Sequence, residues 1–240
     1  MKPATPRLAA VLGVLFAALF VAAMLTVNNV PHLSAPVTDY GAFYDGAGNT
    51  VVTAVAIYLV PLAGIAFLWF AVALRSVLDG LETHPSAMAH GLNLLSGVVF
   101  VALLFGGTAA MATPVLLTTI GGGAPLDPEI TRGLSALGYG LVFLFSVRGA
   151  GMFALTTTTL LTGAGVMPRA AAVVSYLLAT WLLLTATDHP ASLLVLPAWV
   201  LLIAVVLLRH DRRQRRAAAP PSEAPTPVPT PVPTPRSEPS

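Results

Sequence analysis

Long apolar runs recur along this chain, each close to the roughly 20 residues that a helix needs to cross a bilayer core of about 30 Å. The chain has 240 residues, of which 56% are hydrophobic and only 9% are charged. That charge content is far below the roughly 25% typical of soluble proteins, so it cannot solvate an ordinary globular surface. We therefore expect an all-α integral membrane protein.

The apolar runs predict a six-transmembrane-helix bundle within residues 1–216. The predicted spans are 8–27, 51–74, 92–120, 134–161, 170–186 and 191–208. Arg148 interrupts the fourth run beside two glycines, but either half of that run alone would be only about 22 Å long. One long, tilted or kinked helix is therefore expected there. A re-entrant pair of shorter helices is the alternative.

Basic residues collect on one side of this six-span arrangement. The other side has Arg132 alone among several carboxylates. Loops rich in lysine and arginine stay cytoplasmic, so both termini are predicted to lie in the cytoplasm and the protein in the plasma membrane. The basic side includes a cluster directly after the last span, which we interpret as an anchor that meets anionic lipid at the cytoplasmic face. No nucleic-acid partner is expected, since the cluster has neither a folded module nor interleaved aromatic residues. Its members are Arg209, Arg212, Arg213, Arg215 and Arg216.

Residues 217–240 have a completely different composition, rich in proline and threonine. Alternating prolines remove backbone donors and favour extended polyproline II. No apolar face offsets the entropy lost on ordering, so a disordered cytoplasmic tail is expected. Residues 227–231 have the spacing of a ligand for a proline-binding groove, and a protein partner for the tail is therefore an open alternative.

Three aromatic residues share one face of a short predicted helix in the longest outer loop. Tyr40, Phe43 and Tyr44 are spaced i, i+3 and i+4, and Thr38 can cap the helix. Aromatic rings are enriched where a membrane meets water, so we interpret the three rings as interfacial anchors. A lid over a pocket among the outer helix ends is the alternative.

Several stretches resemble a group of uncharacterised six-helix polytopic membrane proteins of high-GC bacteria. They are Asp-Tyr-Gly-Ala-Phe-Tyr-Asp at residues 39–45, Tyr-Leu at 58–59, the aromatic segment from 67 to Leu-Arg at 74–75, and the threonine-containing helix end that runs into Gly-Val-Met-Pro-Arg at 160–169. The resemblance covers roughly residues 38–208 and rests on diffuse patterns. It implies the polytopic membrane fold and no particular activity.

The sequence offers no convincing catalytic or cofactor site. The absence of cysteine excludes disulfides, thiolate metal ligands and thiol nucleophiles. The five histidines lie outside the spans, which excludes haem between helices, and Glu82, His84 and His90 match no metal-ligand motif. Ser135 and His189 resemble the serine and histidine placement of rhomboid-type intramembrane proteases, but Ala136 stands where that motif has glycine. We expect no enzyme and no cofactor, with such a protease as the minor alternative.

Arg148 is the principal candidate for a binding residue, together with Thr159. A charge near the bilayer centre costs about 2.5–3.5 kcal/mol on insertion scales, so Arg148 is expected to face the bundle interior. The side of the helix expected to turn inward with it comprises Leu141, Leu144, Met152, Leu155 and Thr159. The sequence favours a non-enzymatic membrane protein with a structural, regulatory or envelope-related role. A small-solute or anion transporter or channel that uses Arg148 is the alternative.

Close helix contact is expected on the third span. Gly106 and Ala110 are four residues apart, and such a pair of small residues lets a neighbouring helix approach closely. Gly107, Thr108 and Ala109 support the same surface. This pattern predicts tight packing in the bundle and no chemistry of its own.

Overall fold

The computed structural model describes residues 5–27, 31, 34–45, 48–81, 87–184 and 193–217, and every regular element within them is helical. The predicted disordered tail after Ala217 lies outside these residues. So do Glu82, His84 and His189, which the sequence raised as metal or catalytic candidates. The all-α fold class is confirmed for the described part of the chain.

Each predicted span contains a helix. Helix α1 is Pro6–Val27, and the short α2 is Val37–Asp45. Helix α3 consists of three consecutive segments: Gly48–Thr53, a π-helical turn Ala54–Leu59, and Val60–Asp79. Helix α4 is Ala87–Thr119. Helix α5 likewise consists of Pro128–Tyr139, a second π-helical turn Gly140–Ser146, and Val147–Gly163. Helices α6 and α7 are Arg169–Leu184 and Val195–Ala217.

The fourth predicted span is one continuous helix, as expected. It runs without a break through Arg148 as part of Pro128–Gly163, which has 36 residues. The irregularity within it is the π-helical turn, and the glycines after Arg148 remain helical. Pro114 likewise lies inside α4 without ending it.

Four helices are long and apolar enough to cross a membrane: α1, α3, α4 and α5. Helix α6 has only 16 residues, or about 24 Å, and α7 carries a strongly charged C-terminal part. The fold therefore establishes four helices of spanning length and composition, with the short α6 and the partly charged α7 packed beside them.

The six long helices, which we call rods, are α1, α3, α4, α5, α6 and α7. Successive rods are antiparallel, so both ends of the described chain lie at the same end of the bundle. Phe16 of α1 packs on Phe67 of α3, with ring centroids 5.0 Å apart. At the start of α1, the Arg7 side chain pairs with Asp211 near the end of α7 at 3.0 Å. We call this the terminal end of the bundle, and the opposite one, where α2 lies, the α2 end.

The core is a layer of aromatic rings contributed by five helices. Phe67 lies at its centre, 4.8 Å from Phe100 of α4 and 4.9 Å from Phe153 of α5, measured between ring centroids. Phe153 in turn contacts Trp199 of α7 at 6.0 Å. All four rings are at most 1% exposed. Because each edge or tilted contact joins a different pair of helices, this layer fixes how the rods pack.

Helices α4 and α5 cross closely at Gly107 and Gly138. A Cβ atom on Gly107 would lie 2.8 Å from the Gly138 carbonyl oxygen and 2.7 Å from Val142 Cγ2, which is too close for a real contact. The predicted contact residue, Gly106, is instead exposed, with nothing within 4 Å of such a Cβ. The close approach is therefore real, but it lies one residue further along the helix than the sequence pattern indicated.

This pair of adjacent glycines gives a matched test of the packing. We expect Gly107→Ala to destabilise the bundle by about 1–3 kcal/mol, the usual cost of overpacking, because the clash is with backbone. Gly106→Ala should be neutral or stabilising by about 0.5–1 kcal/mol, because alanine favours a helix and meets no neighbour. Thermal unfolding of both variants in the same detergent measures the difference. Equal melting temperatures would contradict the described crossing.

Candidate functional site

A cavity of about 410 Å³ lies at the α2 end, enclosed by α2, the start of α3, the end of α4 and the start of α5. Its walls combine phenol, amide and hydroxyl groups with proline rings, and none of the lining residues carries an ionised side chain. The lining consists of Tyr40, Gly41, Tyr44, Asn49, Pro114, Val115, Thr118, Pro125, Leu126, Pro128 and Thr131. These groups can donate and accept hydrogen bonds without adding charge to the space.

Helix α2 covers this cavity with the face that carries its tyrosines. Tyr40 and Tyr44 are one turn apart, so both rings turn toward the bundle. The Tyr40 hydroxyl donates to the Pro31 carbonyl at 3.4 Å, and the Tyr44 hydroxyl donates to the Met111 carbonyl of α4 at 3.2 Å. Burial raises the pKa of both phenols above the ordinary value of 10.0. Both hydroxyls therefore remain protonated donors at neutral pH.

The prediction of three interfacial anchors is wrong for Tyr40, because this ring is 0% exposed and has no surface to offer to lipid. Phe43 and Tyr44 are half-buried, and their rings meet edge to face at 5.3 Å. Both pack against a small apolar cluster of Val52, Ala112 and Val115. The three residues thus form the contact surface of a short helix beside the cavity, and the lid alternative stays a prediction.

Charged groups surround this end but stay outside the cavity lining. Helix α5 begins with Asp127, whose Oδ1 accepts a hydrogen bond from the Glu129 amide at 2.8 Å and so caps the helix. Glu129 and Arg132 line a separate, more open space of about 320 Å³ between α2 and α5. The covered cavity is therefore polar but uncharged, beside a charged outer rim.

Arg148 does not face the bundle interior, and that prediction is wrong. Ala150 and Thr157 lie about 200° and 180° around the helix from Arg148, and they are 1% and 0% exposed. Arg148 is half-buried on the opposite side, among residues that are half-buried or, like Thr159, exposed. Its Nη1 donates to the Leu144 carbonyl of its own helix, one turn toward the α2 end.

The depth of Arg148 explains how this position is tolerated. A Cβ on Gly151, about one turn from Arg148, would lie 3.0 Å from the Leu183 amide nitrogen, near the end of α6 at Leu184. Arg148 is therefore level with the last turn of α6, and its head extends further toward the α2 end. Arg148 thus lies beside the open end of α6, where its stem covers apolar surface and its guanidinium extends past the last turn of that helix.

Thr159 does not join Arg148 in a binding site. The two residues are eleven positions apart, or about 16 Å along the helix axis. The Thr159 hydroxyl donates to the Leu155 carbonyl at 3.0 Å and lies 3.2 Å from the Tyr176 hydroxyl of α6. Its contacts join α5 to α6, which is a packing role.

A buried polar contact between α4 and α5 was missed by the sequence reading. Asn93 is 3% exposed, and its Nδ2 group donates toward Thr156 Oγ1 at 2.9 Å, Thr157 Oγ1 at 2.8 Å and the Phe153 carbonyl at 3.2 Å. An asparagine within an apolar run was the available signal, because a buried amide needs partners.

The predicted basic cluster continues α7 beyond its apolar part. Arg209, Arg212, Arg213, Arg215 and Arg216 are all exposed at the terminal end. Asp211 within the cluster is instead buried, and its Oδ2 accepts hydrogen bonds from Arg215 Nε at 2.9 Å and Arg7 Nε at 3.0 Å. Burial opposes ionisation of this carboxyl, but the two arginines outweigh it and hold the pKa of Asp211 below its ordinary value of 3.8.

This ion pair makes a pH-dependent contribution to stability. Because the pKa of Asp211 is lowered by folding, the stabilisation is complete above pH 3.8 and is lost as the pH falls below it. We expect Asp211→Asn to reduce stability at pH 7 by about 1.5–3 kcal/mol, the range for hydrogen bonds to charged groups. The melting temperatures of variant and parent should converge as the pH falls through the lowered pKa of Asp211. Arg212→Gln, an exposed change in the same cluster, is the control and should have little effect at either pH.

The outward position of Arg148 also predicts a substitution outcome. Arg148→Leu should retain or raise thermal stability in lipid nanodiscs, because it removes a charge from an apolar surface at the loss of one hydrogen bond within its own helix. Ala150→Leu, on the buried side of the same turn, should destabilise by about 1–3 kcal/mol through overpacking. If Arg148→Leu were the more damaging change, Arg148 would have a partner that the described contacts do not provide.

The candidates for catalysis, metal binding and small-molecule binding lie at different places in the described residues. Ser135, the serine of the protease alternative, is 3% exposed inside α5, and no three His, Cys, Asp or Glu side chains within the described ranges come together as metal ligands. The covered cavity offers hydroxyl and amide groups beside apolar walls, the usual composition of a small-molecule site. No protein-family model, curated protein or solved structure matches the chain.

Proposed function

We propose that this chain is a multi-pass membrane protein of the plasma membrane with a non-enzymatic, structural, regulatory or envelope-related role. In this proposal all six long rods cross the bilayer and both termini lie in the cytoplasm. The terminal end is then the cytoplasmic face, and the α2 end with its cavity is the outer face.

The observation that carries this proposal is the apolar outward surface of the rods. Large hydrophobic side chains on each of them are exposed, where a soluble bundle would carry charge. Among the described residues, Arg148 is the one ionised side chain placed between the two ends of the bundle. Exposed examples, one or two from each rod, are Val11, Leu62, Trp69, Leu95, Phe145, Leu177, Trp181 and Leu201.

The charges at the two ends support the orientation. Arg75 and Arg169 lie at the terminal end with Arg7 and the exposed C-terminal cluster. The α2 end has Arg132 with Asp39, Asp127 and Glu129. Excess arginine marks the cytoplasmic side, and exposed arginines at a membrane surface attract anionic lipid at about 1 kcal/mol each. Anionic lipid at the inner face is accordingly the proposed partner of this cluster.

Antiparallel packing supports crossings by α6, despite its 16 residues, and by α7, despite its charged C-terminal part. Helix α6 lies along the second half of α5, with a Cβ on Gly151 meeting Leu183 and the Ala179 carbonyl. Helix α7 lies along α1, where a Cβ on Gly13 would be 3.0 Å from Val200 Cγ1. Helix α7 therefore covers the middle of α1, and α6 covers the half of α5 nearer the terminal end. Local thinning of the bilayer can accommodate a span as short as α6.

A transport role for Arg148 is the competing proposal. It required a charged side chain turned toward a polar path between helices. The outward position of Arg148 and its distance from Thr159 argue against such a path. We accordingly favour the non-transport role.

Single-cysteine labelling tests the topology directly, because the chain contains no native cysteine. In intact cells, a membrane-impermeant maleimide should label Ala124→Cys and Leu184→Cys, and it should label Gly80→Cys and Gly163→Cys only after permeabilisation. Leu184, at the end of α6, decides between six crossings and four, because it is external only if α6 spans. Protection of Leu184→Cys in intact cells, with Ala124→Cys labelled, would refute the six-crossing proposal.

A further inference from the structure

A second, smaller void lies deeper in the bundle, directly beyond the covered cavity. It has about 50 Å³ of free space and an almost entirely apolar surface, enclosed by α1, α3, α4 and α5. Tyr44 lines both spaces, so its ring forms the partition between them. The other lining residues of the void are Met24, Val52, Val55, Ala56, Val60, Leu104, Thr108, Met111, Val142 and Phe143.

Both π-helical turns of the protein border this void. Val55 and Ala56 belong to the turn in α3, and Val142 and Phe143 belong to the turn in α5. A π-helical turn inserts an extra residue into the helix, widens it locally and often occurs at functional sites. Two independent irregularities that border one cavity indicate that the space is a built feature of the bundle.

The Tyr44 partition is held by one hydrogen bond to the backbone, a side-chain contact with Ser135 and apolar packing. Its hydroxyl donates one hydrogen bond to the Met111 carbonyl at 3.2 Å, and Phe43 meets its ring edge to face. Met111 itself lines the inner void, three residues before Pro114 of the outer cavity. A rotation of this one side chain would join the two spaces and add the volume of the ring to them.

We propose that the joined spaces form a binding site for an uncharged amphiphile, with a hydroxylated head and a slim apolar chain. The head lies in the covered cavity, where Asn49 and Thr131 offer amide and hydroxyl groups. The chain passes Tyr44 into the void between the π-helical turns. An ionised head is disfavoured, because no lining residue carries the opposite charge and an unpaired buried charge is costly. This assignment does not depend on the number of membrane crossings.

Photoaffinity labelling with 3-azioctanol, a photoreactive alkanol, tests the site in the full-length protein in lipid nanodiscs. After irradiation, peptide mass spectrometry should place the label on residues of the inner void such as Met24, Val55 or Met111. An excess of 1-octanol should reduce this labelling at least fivefold. Octanoate at the same membrane-bound concentration should leave it largely unchanged.

Two substitutions locate the site independently of competition. Ala56→Leu places bulk in the void and should reduce the labelling at least fivefold, whereas Tyr44→Ala removes the partition and should increase it. Ala102→Leu, on the exposed side of α4, is the matched control and should label like the parent. The melting temperature of each variant confirms that it is folded.

The proposal is overturned by label confined to lipid-facing residues, or by labelling that 1-octanol does not reduce. Equal reduction by octanoate would overturn the uncharged specificity. If Ala56→Leu fails to fold, the competition in the parent protein still decides. A negative labelling result together with the expected cysteine topology would refute this site and leave the proposed function standing.

Discussion

The arrangement of the helices depends on the aromatic contacts made by Phe67. This ring touches aromatic side chains from α1, α4 and α5, so one residue of α3 fixes the depth at which three other helices pass. Helix α7 is joined to the same layer through Trp199 and Phe153. Where lipid is the solvent, helix association relies on packing of this kind more than on the hydrophobic effect. The close crossing at Gly107 and the pairing of Arg7 with Asp211 follow from the alignment that this layer sets.

Helix positions could be predicted from the sequence, because a run of apolar residues long enough to cross a bilayer has few alternatives to a helix. The direction in which a side chain points was harder to predict from the sequence. Gly106 and Gly107 both satisfy the small-residue pattern, and only the neighbouring helix distinguishes them. For Arg148 the error came from an assumed depth. The prediction placed Arg148 by its own apolar run alone, whereas the neighbouring α6 ends beside Gly151 and leaves the next turn of α5 uncovered.

The two π-helical turns explain a further gap between sequence and structure. A face assigned with 3.6 residues per turn loses its phase when it crosses a π-helical turn, because the hydrogen bonds there span five residues instead of four. Residues 140–146 therefore shift the first half of α5 relative to the second. No pattern in an apolar run marks such a turn, so the cavity bordered by these turns could not be predicted from the sequence. The partners of Tyr44, Asn93 and Asp211 were also missed, because they lie 60 to 204 positions away in the chain.

The two ends of the bundle differ in chemistry in a way that bears on function. The terminal end is rich in ionised groups, and its buried carboxylate Asp211 is matched by two arginines. The α2 end buries phenols, a hydroxyl and an amide around open space, and its charges lie outside the cavity lining. The two arginines offset the cost of burying Asp211 and tie α1 to α7 at the terminal end. The lining of the cavity at the α2 end contains no ionised group that would need such a partner. The uncharged amphiphile that we propose therefore suits the α2 end, because it requires no counter-charge there.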